Sequence, residues 1–209
     1  MINFKDAILL VRFRAQVMQE AVPVGMGGMA VILGLSDELV QAVCVEAAHD
    51  GEIIEAVNFN APLQVVIAGH QNAVDRACAV AKLKGAKRTL LLPVSAPFHS
   101  SLLKPASDRL RTYLSDLQFM QPQIPLINNV DVAIVSDQIS IKDALVRQAS
   151  SPVRWVETVQ KMVADGITHV VECGPGKVLA GLSNRIHRDL RSEAIVDQAS
   201  LHKILEGLK

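Results

Sequence analysis

Hydrophobic and polar positions alternate along this chain in two distinct periods. From Asp6 to Gln19, Ala7, Leu10, Val11, Val17 and Met18 fall at helical spacing, which predicts an amphipathic helix. Val22-Pro23-Val24-Gly25-Met26-Gly27-Gly28 then reads as a loop. Met29–Leu35 is a short apolar run of strand type, and Asp37–His49 is helical. Ile53–Phe59 and Leu63–Ala68 predict two strands joined by an Asn60-Ala61-Pro62 turn. Asn72–Lys84 carries Ala73, Val74, Ala77, Val80 and Ala81 on one helical face, and Arg88–Val94 reads as a strand. The order β-α-β-β-α-β is that of a ferredoxin-like module.

Beyond this point the pattern changes. Leu102–Leu117 is helical to the Gln121-Pro122 break, Ile124–Val130 reads as a strand, and Ile141–Ala149 as a helix. Pro152 sits where a helix over Val153–Ala164 begins. Thr168–Glu172 is a buried strand, and Gly174-Pro175-Gly176 breaks the chain before a helix over Lys177–His187. Such alternation implies a parallel sheet covered by helices. Two strands are too few for one, so either further strands escape the pattern or the sheet's remaining strands lie outside these residues.

Composition narrows the class. Half of the 209 residues are apolar, which excludes disorder. Lys plus Arg equals Asp plus Glu at 21 each, so the clustered positive charge of a nucleic-acid binder is not expected. No run is long enough for a membrane span. The three cysteines, Cys44, Cys78 and Cys173, form no C-x-x-C pair and fit a reduced, cytoplasmic protein. No histidine spacing suggests a metal site.

The chemistry concentrates in Pro93-Val94-Ser95-Ala96-Pro97-Phe98-His99-Ser100-Ser101-Leu102-Leu103-Lys104-Pro105. A histidine between proline-stiffened segments, after a strand and before a helix, is placed as a general base would be. The competing reading is a structural loop histidine. A base needs an acceptor on its other ring nitrogen, and residue pattern alone identifies none. No G-x-S-x-G turn occurs in the sequence. Arg14 lies in the first helix, either on its surface or directed inward toward a carboxylate or phosphate. Gly174-Pro175-Gly176-Lys177 departs from a phosphate loop at Val171 and Val178, which leaves a tight strand-to-helix turn. Cys173 after its apolar strand reads as a small packed residue.

Several segments resemble bacterial malonyl-CoA:acyl-carrier-protein transacylases. They are Met18-Gln19-Glu20-Ala21-Val22-Pro23, Val57-Asn58-Phe59-Asn60-Ala61-Pro62, Val65-Val66-Ile67-Ala68-Gly69-His70, Gly85-Ala86-Lys87-Arg88, Pro93 to Pro105, Asn128-Asn129-Val130-Asp131-Val132, Asp143-Ala144-Leu145-Val146-Arg147-Gln148 and Gly174-Pro175-Gly176-Lys177-Val178-Leu179. The resemblance runs in order over nearly the whole chain. It implies an α/β fold, with a partial parallel-sheet, hydrolase-like acyltransferase core over 1–24 and 95–209. A ferredoxin-like α+β subdomain is inserted at 25–94. It also implies malonyl transfer from malonyl-CoA to the phosphopantetheine thiol of acyl carrier protein in fatty acid biosynthesis, through a serine ester and without other cofactors, by a monomer.

On this resemblance His99 is the catalytic base, the main-chain carbonyl of Gln148 orients it, and Arg14 binds the malonyl carboxylate. Phe98 limits room beside the acyl group, while Asn58, Asn60 and Arg88 line or approach the cleft. The family serine sits in a Gly-His-Ser-Leu-Gly turn that these residues do not contain. The chain therefore corresponds to the C-terminal two thirds of the family, and alone is expected to form no acyl-enzyme. Two other readings stay open: a non-catalytic module that binds carrier protein, and a hydrolase using a partner's nucleophile.

Overall fold

The structure is a computed structural model that describes residues 2–49 and 51–207. It contains α1 (Phe4–Glu20), β1 (Gly27–Leu33), α2 (Asp37–Ala47), β2 (Ile54–Ala61), β3 (Gln64–His70), α3 (Gln71–Leu83) and β4 (Arg88–Leu91). A 3-10 turn (Ser101–Leu103), α4 (Lys104–Ser115), β5 (Ile127–Asn128), β6 (Ala133–Ile134) and α5 (Gln138–Gln148) follow. The chain closes with α6 (Trp155–Ala164), β7 (His169–Cys173), α7 (Val178–Ile186), β8 (Arg191–Ile195) and α8 (Gln198–Gly207). Contacts divide it into two compact units, one running to Arg154 and one beginning at Trp155.

In the first unit, β1 to β4 form an antiparallel sheet in the order β2-β3-β1-β4. With α2 and α3 this is the ferredoxin-like arrangement. The two-residue period of the strands sorts side chains cleanly between faces. Ala30, Ile32, Val65 and Ile67 face α2 and α3, packing on Val40, Val43, Ala73, Val74 and Ala77. Met29, Val66 and Ala68 face the other way and pack with Val57, Leu92 and Phe98. A third cluster joins Val17 and Met18 of α1 to Leu103, Leu110, Leu114 and Val146. Serine, asparagine and aspartate side chains cap three helices of this unit. Asn3, Ser36 and Asp137 accept the backbone N–H groups of Asp6, Leu39 and Ser140.

Three details differ from the sequence expectation. The hairpin turn is not Asn60-Ala61-Pro62: Ala61 still pairs with Gln64, leaving Pro62-Leu63 as the turn. Leu63 takes a left-handed φ of 61°, and its carbonyl accepts the Gly34 N–H at 2.9 Å. The apolar stripe of α1 is buried only toward its C-terminal end. Val17 and Met18 are inaccessible, whereas Val11 is 64% exposed. Finally, Ile124–Val130 is not a strand of a parallel sheet; only Ile127–Asn128 pairs, antiparallel, with β6.

The second unit supplies the parallel pairing, β7 with β8. The Gly174-Pro175-Gly176 turn connects β7 to α7, and the Glu172 carboxylate accepts the Ala180 N–H at 2.8 Å. That carboxylate caps the N-terminal turn of α7, where a phosphate loop would hold its anion. No helix among the described residues is long and apolar enough to cross a membrane.

Gly69 is the tightest backbone contact of the small sheet. A Cβ added there would lie 2.0 Å from the Ile53 carbonyl oxygen and 2.7 Å from Ile54 Cα. Both obstacles are backbone, so neither can rotate aside. Gly69→Ala is expected to lower stability by about 1–3 kcal/mol, measured as a lower urea midpoint. An unchanged midpoint would contradict the β2–β3 register described above.

Candidate active site

The loop after β4 is held from both sides. Ser95 is tied to Gln19 of α1, whose Nε2 donates to the Ser95 carbonyl at 3.3 Å and whose Oε1 accepts from Ser95 Oγ. Pro97 lies over Gly27, where a Cβ would come within 2.5 Å of the proline ring. Buried Ser100 donates its hydroxyl to the Pro97 carbonyl at 2.7 Å. On the far side, the Glu55 carboxylate of β2 accepts both Ser101 N–H and Ser101 Oγ–H at 2.7 Å. Between these anchors His99 is held at a φ of 65°, a left-handed conformation that a side chain with a Cβ adopts only under constraint.

His99 Nδ1 lies 3.0 Å from the main-chain oxygen of Gln148. Gln148 is the last residue of α5, so its carbonyl is one of those that a helix end leaves without an intrahelical partner. Nδ1–H donates to it, which leaves the Nε2 lone pair free. Burial pushes the His99 pKa below 6.5; the Gln148 bond raises it and the nearby Arg14 charge lowers it. Burial therefore favours the neutral imidazole, the form able to accept a proton.

A titration checks this. The His99 ring is expected to protonate at a lower pH than an ordinary histidine, and Arg14→Met is expected to move that midpoint upward by removing a neighbouring cation. Ring nuclear magnetic resonance shifts followed against pH give both midpoints; a midpoint above that of an ordinary histidine would contradict the burial. Because the folded-state value is depressed, the unfolded chain takes up the proton first as pH falls. His99 then contributes full stability above the unfolded pKa, and that contribution is lost as pH drops from there through the folded value.

Arg14 stands on the same side. Its Nη2 donates to the Gln148 side-chain oxygen at 2.5 Å, and burial lowers its pKa. Among the described residues no carboxylate pairs with it. Of the two sequence readings, the partly buried guanidinium is the one observed. Arg147, one residue before Gln148, is instead held by Asp131 and Asp143.

Arg14 and His99 line one cleft of about 550 Å³, together with Asn58, Asn60, Phe98, Gln19 and Met18. Asn58 and Asn60 lie where β2 is irregular, its register shifting between Ala56 and Asn58 and again between Phe59 and Ala61. Such bulges re-aim side chains beside active sites. Phe98 contributes to the cleft wall while packing on the cores to either side. Arg88 is not among the lining residues; it is exposed at the start of β4. Sequence reasoning named the Gln148 carbonyl through resemblance, but missed the side-chain oxygen, Gln19 as a loop anchor and Glu55 altogether. Gln19 falls inside a matched segment; Glu55 carries no sequence signal.

The lining contains a base and a cation but no serine, threonine or cysteine. Cys44 is buried, with its thiol pushed up to about 12, so it stays protonated. Among the described residues no group of three or more His, Cys, Asp or Glu side chains is arranged to hold a metal ion. The arrangement can orient a carboxylate and accept a proton from an incoming hydroxyl.

Known proteins share this architecture. Residues 1–203 match the family model described as "Acyl transferase domain". The malonyl CoA-acyl carrier protein transacylase of Salmonella typhimurium is 50% identical over 204 residues, covering 98% of this chain and 66% of the relative. The crystal structure of an acyl-carrier-protein S-malonyltransferase from Burkholderia pseudomallei superposes with a TM-score of 0.95 at 62% identity, covering 98% of this chain and 66% of that one. A malonyl-transacylase in complex with a type II polyketide synthase acyl-carrier protein superposes with a TM-score of 0.97 at 50% identity, covering 99% and 66%. The chain thus spans 66% of the length of these relatives.

Proposed function

The chain belongs to the acyl transferase domain family, and from that membership we propose that it provides the base and carboxylate-binding half of a malonyl transferase site. In this reading a serine hydroxyl from polypeptide outside these 209 residues attacks the malonyl-CoA thioester. His99 Nε2 takes the hydroxyl proton, the carbonyl–sulfur bond breaks, and the CoA thiol leaves. The histidine passes that proton to the departing CoA sulfur; it then takes the proton of the phosphopantetheine thiol of acyl carrier protein as this sulfur attacks the serine ester and accepts the malonyl group, and returns it to the serine oxygen. Arg14 pairs with the free malonyl carboxylate and so discriminates against uncharged acyl groups. Phe98 restricts the room beside the acyl chain, and Asn58 and Asn60 meet the substrate from β2. Arg88 is proposed to act outside the cleft, toward CoA or carrier protein.

The observation that carries this reading is the joint placement of Arg14 and His99 in one cleft, both bonded to Gln148. The complex of a similar transacylase with a carrier protein supports carrier protein as the acceptor. The self-contained packing of β1 to β4 with α2 and α3 supports residues 25–94 as the inserted subdomain, with 1–24 and 95–209 belonging to the acyltransferase core. We place the protein in the cytoplasm as a monomer that needs no cofactor beyond its two substrates.

Covalent labelling with radioactive malonyl-CoA tests the proposal. The 209-residue chain alone is expected to take up no hydroxylamine-sensitive label. The same chain joined behind the remaining third of the Salmonella typhimurium relative is expected to label and to pass malonate to carrier protein. Label on the isolated chain would overturn the division of labour. A folded fusion that binds carrier protein without labelling would favour the non-catalytic module instead.

A further inference from the structure

We propose that the Gln148 side chain is a resident stand-in for the substrate carboxylate, holding Arg14 until an acyl carboxylate displaces it and so helping to select acyl groups that carry a negative charge. This rests on the malonyl-binding reading of the cleft. Its basis is the 2.5 Å bond from Arg14 Nη2 to Gln148 Oε1, at a partly buried guanidinium with no carboxylate partner among the described residues. A desolvated cation without an acceptor is costly, and the amide oxygen satisfies it in part. The amide is neutral, so a carboxylate displaces it by forming a stronger, charge-assisted and two-pronged contact. An acetyl group offers no such replacement and leaves the Arg14–Gln148 bond intact.

One residue thus serves both partners through different atoms. Its main-chain oxygen holds His99 Nδ1 at 3.0 Å, while its side-chain oxygen holds Arg14. The main-chain position is secured independently of the side chain, because Ser150 N–H donates to the Arg147 carbonyl at 3.1 Å and Ser107 Oγ donates to Ser150 Oγ at 2.9 Å. The neighbouring Arg147 cannot replace Arg14 as anchor, being already engaged by Asp131 and Asp143. The Gln148 amide nitrogen also lies 3.4 Å from His99 Nδ1, so a change of side chain at 148 is read through carboxylate binding, with the main-chain bond to His99 left in place.

Calorimetric titration of the 209-residue chain with malonyl-CoA and with acetyl-CoA tests this, using Gln148→Met and Gln148→Glu. Both keep the length of the side chain, and circular dichroism verifies that each variant folds. Gln148→Met removes the acceptor and is expected to tighten malonyl-CoA binding about tenfold. Gln148→Glu places a competing carboxylate on Arg14 and is expected to weaken malonyl-CoA binding by about tenfold or more. Acetyl-CoA affinity is expected to stay unchanged in both. Wild-type malonyl-CoA affinity in the Glu variant, or unchanged or weaker affinity in the Met variant, would overturn the proposal. Arg14→Met separates the two levels. If it leaves wild-type malonyl-CoA affinity intact, the malonyl reading of the cleft fails. If it weakens binding while both Gln148 variants behave as wild type, the stand-in alone fails.

Discussion

His99→Ala, made in the fusion with the remaining third of the Salmonella typhimurium relative, is expected to slow the proposed serine malonylation by roughly 10²- to 10⁴-fold. The reason is electronic rather than structural. At neutral pH a serine hydroxyl is a poor nucleophile, and its activation depends on a neutral acceptor at hydrogen-bond reach. The fixed tautomer presents Nε2 as that acceptor, because Nδ1–H is committed to the Gln148 carbonyl. Malonyl-CoA affinity should change little, since Arg14 and its bond to Gln148 lie outside the deletion. A single-turnover labelling rate, compared with a calorimetric affinity, separates the two quantities. Loss of affinity with an intact labelling rate would reverse the roles assigned to the two residues.

The second large effect is expected at Arg14. Arg14→Met keeps much of the side-chain volume but removes the charge, and is expected to weaken malonyl-CoA binding by roughly 10²-fold or more. Acetyl-CoA, which has no carboxylate, should bind as before, so the preference between the two thioesters collapses. Arg14→Lys should recover only part of the loss, because an ammonium group cannot make the parallel pair of bonds that a guanidinium makes. Competition titrations with both thioesters give the ratio directly. An unchanged ratio in Arg14→Met would show that the carboxylate lies elsewhere.

How much of this was legible beforehand depended on the kind of signal each feature leaves. The small sheet was readable because Met29–Leu33 and Val65–Ala68 are apolar runs flanked by turn residues, with helices of clear period between them. Strand β8 was not, because Arg-Ser-Glu-Ala-Ile has neither an apolar run nor clean alternation; its parallel partner β7 defines it. The hairpin turn shifted toward the C-terminus because Leu63, rather than a glycine, takes the left-handed position. At the site, proline punctuation marked His99. Its acceptor is a main-chain oxygen, for which any side chain at 148 would serve, so no residue pattern could single it out. Arg14 was ambiguous because the α1 stripe mixes exposed and buried apolar positions. The Glu55–Ser101 contact joins residues 46 apart in sequence, a separation at which local patterning carries no information.

The left-handed backbone at His99 sets folding and chemistry against each other at one position. A φ of 65° is free of steric cost only for glycine, and asparagine tolerates it better than a ring does. Variants chosen for thermal resistance alone would therefore tend to drift away from histidine here, gaining robustness as they lose the proposed proton acceptor. Retention of histidine at this site across a lineage would then record selection on turnover rather than on durability.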